Sequence, residues 1–231
     1  MALRDRQPGV SLARIVFYMF ARGVAVLALK IVFKATAEGT ENIPQTGAIL
    51  MVANHQSYLD PPAVGGFVGK RHFEFLARAS LFRFKPFAWL ISLLNSVPIQ
   101  DDQGDSGAIR EILRRLEGGR AVLIFPEGSR SEDGQMHDFK RGAALVMRKA
   151  KCPVIPAAIT GAYQRWPASE KWPRLSGPPV RVKYGTVIPY DELMKGGADA
   201  AMARLRDEVA RLKAQLDAKA AAPGQTAARP S

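Results

Sequence analysis

The chain has 231 residues, a length that suits one large domain able to bury a core without disulfides or a structural metal. Lys and Arg number 33 against 21 Asp and Glu, so the formal net charge is +12, which favours an acidic partner such as nucleic acid, an anionic membrane surface or a phosphorylated small molecule. The single cysteine, Cys152, excludes a disulfide framework and indicates a reducing compartment, and its apolar neighbours favour a buried structural role over that of a nucleophile.

The N-terminal segment, residues 1–37, is both apolar and basic. Its apolar run at 15–33 is interrupted by Arg22 and Lys30, and a charge near the centre of a spanning helix costs about 2.5–3.5 kcal/mol. The sequence therefore favours a membrane-associating helix that lies in the interface, with basic side chains near lipid headgroups, over a spanning helix or a cleaved signal peptide. An amphipathic helix packed on the domain is the alternative.

The rest of the chain alternates short apolar runs with segments of helical periodicity. This alternation predicts an α/β fold, a single domain over residues 38–219 with a mixed, largely parallel sheet flanked by helices. Functional groups are then expected in loops at strand ends. Residues 220–231, rich in Ala and Pro, are expected to form a disordered tail. Strands are predicted at 48–52, 121–125, 154–159 and 180–184, and helices at 106–117, 142–150 and 191–219.

The segment NHQSYLD, residues 54–60, directly follows the first predicted strand. On a straight helix His55 and Asp60 would point about 140° apart, but they can meet across a turn. Pro61 and Pro62 suit the first turn of a helix that Asp60 would cap. A carboxylate that fixes the imidazole tautomer leaves the other ring nitrogen to take a proton from a hydroxyl. We therefore predict a general base oriented by a carboxylate, with a space-filling histidine and a simple cap as the alternative.

Two basic loops at predicted strand ends carry groups that suit a phosphate. The first, FPEGSRS, combines a glycine that allows close backbone approach, hydroxyl groups, and an arginine whose planar fork matches phosphate oxygens. The second, FKRG, opens a helix whose N-terminal amides favour an anion. Each loop alone is typical of a solvated surface, but together they predict a phosphate pocket formed by Gly128, Ser129, Arg130, Lys140 and Arg141.

These segments carry a family resemblance. NHQSYLD resembles the NHxSxxD box, and FPEGSRS the FPEGTRS box, of the glycerol-phosphate and lysophosphatidate acyltransferase family. The apolar, proline-containing run at 154–159 and the FKRG segment at 139–142 are similar to further blocks of that family. In order and spacing the resemblance covers about residues 38–188. The first two boxes together are highly specific to this family.

The resemblance implies that His55 is the base, Asp60 its orienting partner, and Glu127, Gly128 and Arg130 part of the acceptor site. It implies a fatty acyl thioester, acyl-CoA or acyl carrier protein, as cosubstrate, with no metal and no other cofactor. The expected acceptor is a lysophospholipid, most commonly lysophosphatidate, which becomes phosphatidic acid. The expected location is the cytoplasmic face of a membrane, the inner membrane in a bacterium.

One departure from the family leaves the acceptor open. Where the family has an arginine that helps bind the acceptor phosphate, this chain has Gln100, Asp101 and Asp102, and a carboxylate there repels a phosphate monoester. A lysolipid with a phosphodiester or amine headgroup is the alternative acceptor. The alternative of a different class is a non-catalytic lipid-binding protein, but such a protein would not need His55 paired with Asp60. We expect no nucleic-acid partner, because aromatic and basic residues do not alternate as in known recognition patterns.

Overall fold

The computed structural model describes residues 10–78, 96–99 and 104–221. Within them, one seven-stranded sheet has the order β1-β7-β6-β2-β5-β3-β4. Its paired strands are parallel except β6 and β7, which are antiparallel. The prediction of an α/β fold with a mixed, largely parallel sheet is confirmed. The strands are β1 (Thr36–Glu38), β2 (Ile49–Ala53), β3 (Phe73–Arg78), β4 (Ser96–Ile99), β5 (Ala121–Ile124), β6 (Val154–Thr160) and β7 (Arg181–Tyr184).

Helices cover both faces of this sheet. Successive side chains of a strand point to opposite faces, so Met51 and Leu123 join the core under α1 and α2, whereas Leu50 and Val122 join the core under α3, α4 and α7. Short turns of 3₁₀ helix lie at Thr40–Asn42 and Met194–Gly196. The α-helices are α1 (Leu12–Val32), α2 (Asp60–Gly66), α3 (Gly104–Glu117), α4 (Arg141–Ala150), α5 (Ala162–Arg165), α6 (Tyr190–Leu193) and α7 (Gly197–Ala221).

The predicted closing helix at 191–219 is interrupted. Its first turn, α6, ends at Leu193, and α7 begins only at Gly197, whose φ of 82° breaks the helical path. The apolar stripe predicted within this helix is confirmed, since its members pack against the sheet. The buried residues of the stripe are Leu205, Val209, Leu212 and Leu216.

The ends of the chain differ from the predicted boundaries. The sheet already includes Thr36 and Ala37, which pair with β7, although they belong to the predicted N-terminal segment. At the other end α7 extends to Ala221, so residues 220 and 221 are helical, and residues 222–231 lie outside the described part of the chain. Cys152 is buried beside α4, as predicted.

Helix α1 has one packed face and one exposed face. Among the described helices it alone is long and apolar enough to cross a membrane by length and composition, with 21 residues and a mean hydropathy of 2.0. Its packed face buries Ile15, Tyr18 and Leu29. Arg22 turns toward the domain and donates to the carbonyl oxygen of Arg71 at 3.1 Å, while the expectation that basic side chains of this segment lie near lipid headgroups stays a prediction. That the helix lies in a membrane interface stays a prediction.

The topology brings three loops to one edge of the sheet. Strand β2 is parallel to both β5 and β6, so the chain leaves these three strands on the same side. In open parallel sheets ligands bind at this carboxyl edge. The loops that follow Ala53, Ile124 and Thr160 therefore meet at the place where a site is expected.

Candidate active site

The loop that carries the predicted base is fixed to strand β6 on both sides of the histidine. Asn54 Nδ2 donates to the carbonyl oxygen of Ile159 at 3.0 Å, and the Ile159 amide donates to Asn54 Oδ1 at 2.9 Å. Gln56 Nε2 donates to the same carbonyl oxygen at 2.8 Å. These contacts are buried, and they hold the backbone of His55 between two anchors.

His55 and Asp60 meet across the turn that the sequence predicts. Nδ1 of His55 donates to Oδ2 of Asp60 at 2.8 Å, and the amides of Gln56 and Ser57 donate to the same oxygen at 2.5 and 2.7 Å. The Asp60 side chain is 0% exposed, and that of His55 is 17% exposed. A buried carboxylate bound to Nδ1 fixes the neutral tautomer in which Nε2 is the acceptor.

The prediction that Asp60 caps the following helix is wrong in detail. Helix α2 begins at Asp60 itself, and the capping residue is Leu59. Pro61 and Pro62 have no N–H to offer a cap, and the Ala63 amide donates to the carbonyl oxygen of Leu59 at 2.9 Å. The carboxylate therefore turns back to the amides that precede it, which places it under the imidazole.

One face of the imidazole is covered by an aromatic ring. Phe125 stacks on His55 with ring centroids 4.1 Å apart and an interplanar angle of 18°. Within the described part of the chain no group is hydrogen-bonded to Nε2 of His55, so this nitrogen is available to accept a proton. Phe125 is the first residue of the FPEGSRS segment, but nothing in the sequence predicts a role for it in the site. Its contact fixes the plane of the ring.

Glu127 joins the two loops through their backbones. Its Oε1 accepts from the amide of His55 at 2.7 Å and its Oε2 accepts from the amide of His137 at 2.9 Å, and its side chain is buried. Burial raises the pKa of the Glu127 carboxyl. A further link is the Ser131 amide, which donates to the carbonyl oxygen of His55 at 2.9 Å. The observed contacts make Glu127 a positioning residue, and its contact with an acceptor stays a prediction.

Arg130 lies on an aromatic platform beside the loop that carries His55. Its guanidinium carbon is 3.6 Å from the ring centroid of Tyr58. The Tyr58 ring in turn packs against the Trp166 ring, with the two ring centroids 5.1 Å apart. The described residues offer the guanidinium no ion pair, so its donors are available for an anion. The sequence does not predict this role of Tyr58 either, because no local pattern links Tyr58 to Arg130.

The structure also brings Gly128 and Lys140 together. Gly128 has a φ of 74°, and a Cβ at this position would lie 2.7 Å from Nζ of Lys140, whose side chain crosses the glycine. The Lys140 amide donates to the carbonyl oxygen of Pro126 at 2.8 Å, which fixes this crossing. Ser129 and Arg141 are exposed nearby in sequence, the latter in the first turn of α4. Lys140 and Arg141 form no ion pair with any residue that the structure describes.

The acceptor-selecting segment and the expected absence of a metal both stay predictions. Gln100, Asp101 and Asp102 lie outside the described residues, so their place relative to the site stays a prediction. Within residues 10–78, 96–99 and 104–221, no group of three or more His, Cys, Asp or Glu side chains is arranged to hold a metal ion.

Comparisons with known proteins cover the same region. A family model described as acyltransferase matches residues 34–160. The chain is 30% identical over 202 residues to the 1-acyl-sn-glycerol-3-phosphate acyltransferase of Streptococcus pneumoniae, which covers 85% of this chain and 73% of that protein. It is 31% identical over 142 residues to the chloroplastic 1-acyl-sn-glycerol-3-phosphate acyltransferase of Arabidopsis thaliana, which covers 60% of this chain but only 39% of the plant protein.

A solved structure agrees in fold. The crystal structure of the 1-acyl-sn-glycerophosphate acyltransferase from Thermotoga maritima superposes with a TM-score of 0.73 at 29% identity, over 89% of this chain and 82% of that chain. The match to the family model includes both His55 with Asp60 and the whole FPEGSRS loop.

Proposed function

This chain belongs to the acyltransferase family of the 1-acyl-sn-glycerol-3-phosphate acyltransferases, and on that premise we propose that it transfers a fatty acyl group from an acyl-CoA or acyl carrier protein thioester to the hydroxyl of a lysophospholipid. The proposed acceptor is lysophosphatidate, 1-acyl-sn-glycerol 3-phosphate, and the product is phosphatidic acid. The observation that carries the proposal is the 2.8 Å contact between His55 and Asp60, with a buried carboxylate and a partly exposed imidazole.

The proposed chemistry needs one base and correct positioning. Nε2 of His55 takes the proton of the acceptor hydroxyl while its oxygen attacks the thioester carbonyl carbon. Asp60 stabilises the imidazolium that forms. When the tetrahedral intermediate collapses, the carbon–sulfur bond breaks, and the leaving thiolate takes the proton from Nε2. The thioester already activates the carbonyl, so the chain needs no serine nucleophile.

The acceptor headgroup is proposed to bind beside this pair. Arg130 has free donors on the Tyr58 platform, and the Lys140 ammonium lies over Gly128, where a Cβ would clash with it. Arg141 and Ser129 are exposed on the same two loops and can add contacts. Glu127 acts on this pocket indirectly, because its carboxylate ties the Arg130 loop to the amide of His55.

The experiment that tests the proposal compares two histidines. His55→Ala should abolish transfer of a labelled acyl group to lysophosphatidate from both thioesters, because the base is lost. His137→Ala is the matched control, since its exposed ring makes only a 3.4 Å contact with Asp133, and it should keep the wild-type rate. A folded His55→Ala variant that transfers acyl groups at the wild-type rate would show that the chemistry lies elsewhere.

The choice of acceptor depends on a sequence feature, the carboxylate of Asp101. If this residue borders the headgroup, Asp101→Arg raises activity on lysophosphatidate relative to lysolipids with a zwitterionic or amine headgroup. The two acceptors are compared at the same surface concentration. An activity ratio that stays at its wild-type value would remove Asp101 from the headgroup pocket. A non-catalytic lipid-binding protein, the candidate of a different class, would turn over no acceptor at all.

We propose that the enzyme acts at the cytoplasmic face of a membrane, held by the exposed face of α1. That face presents Phe20 and Leu27, 69% and 58% exposed, in an apolar row along the helix. Deleting the helix would expose the buried side of α2, so the informative variant is Phe20→Ser with Leu27→Ser. It should bind anionic vesicles less tightly with unchanged thermal stability. Vesicle binding at the wild-type level would rule out this face of α1.

A further inference from the structure

A second apolar surface lies on the loop that follows α5, residues 167–179, which we call the Trp172 loop. Among the described residues, the strongly exposed large hydrophobic side chains lie on α1, with two exceptions, Trp172 at 71% and Leu175 at 73%. Both are more exposed than any such side chain of α1. We propose that Trp172 and Leu175 insert into the headgroup region of an anionic bilayer, and that the Trp172 loop is a membrane contact separate from α1.

Buried hydrogen bonds fix the backbone of the Trp172 loop, so its exposed side chains have defined positions. Arg165 is almost completely buried, and its guanidinium donates to the carbonyl oxygens of Leu175 and Pro178, the latter at 2.9 Å. The Arg174 amide donates to the carbonyl oxygen of Arg165 at 2.7 Å. A buried cation satisfied by the carbonyls of one loop fixes the shape of that loop. The apolar side chains then point outward because the polar backbone is turned inward.

The same arginine connects the Trp172 loop to the end of α1. The guanidinium carbon of Arg165 lies 5.6 Å from the ring centroid of Phe33, which caps α1, and the Val180 amide donates to the carbonyl oxygen of Phe33 at 3.0 Å. Ile31, in the last turn of α1, is 69% exposed. The Trp172 loop and the last turn of α1 are therefore neighbours, and the nearness of two exposed apolar segments favours a lipid surface over a soluble protein as the occupant.

Charge around the Trp172 loop matches anionic headgroups. Lys171 is exposed, pairs with no acidic residue in the described part of the chain, and places Nζ 6.0 Å from the Trp172 ring centroid. Lys30 and Lys34 are exposed at the neighbouring end of α1. A tryptophan beside lysines is typical of the level where the acyl region meets the headgroups, because the indole is apolar with one polar edge and each basic residue near an anionic surface contributes binding.

A contact at this place has a consequence for the reaction. The Trp172 loop begins directly after Trp166, whose ring contacts Tyr58, and Tyr58 carries the guanidinium of Arg130. The Tyr58 amide also donates to the carbonyl oxygen of Trp166 at 3.4 Å. Insertion of the loop would thus set the height of the headgroup pocket above the bilayer. This last step rests on the proposed function, whereas the membrane contact itself does not.

The test places an environment-sensitive fluorophore on the loop. Cys152 is buried, so Leu175→Cys can be labelled in the otherwise unchanged chain with a nitrobenzoxadiazole thiol reagent. Ala203→Cys, exposed on α7 across the sheet, is the matched control. On adding vesicles of phosphatidylglycerol and phosphatidylethanolamine, emission from position 175 should increase and shift to shorter wavelength, while emission from position 203 stays constant. Protein that sediments with vesicles while the label at 175 stays in water would overturn the proposal.

A second pair of variants links the contact to catalysis. Trp172→Ser with Leu175→Ser should lower kcat/KM on bilayer lysophosphatidate about ten-fold or more and leave activity on a short-chain, water-soluble acceptor unchanged. Trp172→Phe with Leu175→Ile keeps the apolar area and should restore the bilayer activity. Equal losses on both substrates, or a label that responds to acyl carrier protein in place of vesicles, would overturn the membrane role. The fluorescence measurement needs no turnover, so it holds even if the proposed reaction fails.

Discussion

Asp60→Asn changes the charge and the hydrogen bonding of the central carboxylate while keeping its size. In the wild type Oδ2 accepts from His55 Nδ1 and from the amides of Gln56 and Ser57, whereas Oδ1 is buried without a partner among the described residues. If the asparagine oxygen takes the place of Oδ2, its NH₂ group fills the site of Oδ1 and finds no acceptor there. If the amide is reversed, the NH₂ group faces three other donors.

Either orientation of the asparagine amide is expected to lower both the stability and the activity of the variant. A buried donor without an acceptor costs about 1–3 kcal/mol, so we expect the free energy of unfolding to fall by about that amount. In the transition state the variant also lacks the negative charge that stabilises the imidazolium, and it no longer enforces the tautomer with Nε2 as acceptor. The loss of this orientation in a Ser-His-Asp triad lowers kcat by about 10⁴, and for Asp60→Asn we expect a fall of about 10²–10⁴.

The assay follows release of the free thiol at saturating lysophosphatidate, with thermal unfolding monitored in parallel. The two residues act as a unit, so the double variant His55→Ala with Asp60→Asn should be no slower than His55→Ala alone. A kcat of Asp60→Asn near the wild-type value would refute the role of the carboxylate. Losses that multiply in the double variant would show that the two side chains act separately.

Three further predictions concern the pocket and the single cysteine. Tyr58→Leu should raise the KM for the acceptor about two- to thirty-fold because Arg130 loses its platform, while Tyr58→Phe should leave it unchanged; equal KM values in initial-rate measurements would contradict this. Arg130→Ala and Lys140→Ala should raise acceptor KM more than they lower kcat, and unaltered acceptor kinetics in both would place the phosphate elsewhere. Burial raises the pKa of the Cys152 thiol to about 11, so the native protein should resist iodoacetamide at neutral pH, and Cys152→Ala should keep its kcat. Alkylation as fast as that of free cysteine would argue against burial.

The contact between His55 and Asp60 could be predicted because the two residues are close together in the chain. His55 and Asp60 lie five positions apart, directly after an apolar run, and Pro61 and Pro62 mark the turn that follows. Only the capping role of Asp60 was wrong, because the rule for helix caps does not say which of the available amides a buried side chain will meet. The four predicted strands were found for the same reason, since an apolar run between turns is a local pattern.

The contacts that complete the site join distant segments. Glu127 meets the amide of His55 across 72 positions of the chain, and Phe125 and Arg130 meet His55 and Tyr58 from the same loop. These contacts exist because β2 and β5 are neighbours in the sheet. A sequence shows which residues follow each strand, but the order of the strands decides which of them touch.

The sequence by itself determined the α/β class, the apolar faces and the His–Asp pair, because each follows from periodicity or from residues a few positions apart. The tertiary structure alone decided the parts that depend on distant partners. Strand β3 was not predicted because it contains a charge, yet Glu74 is buried there, paired with Arg115 and with Arg120 at 3.0 Å. Arg22 likewise turns inward because a carbonyl group is available on the domain. A charged side chain can be buried only where a partner of opposite charge or a hydrogen-bonding group is close to it. The fold brings that partner into place, and no local sequence pattern predicts its position.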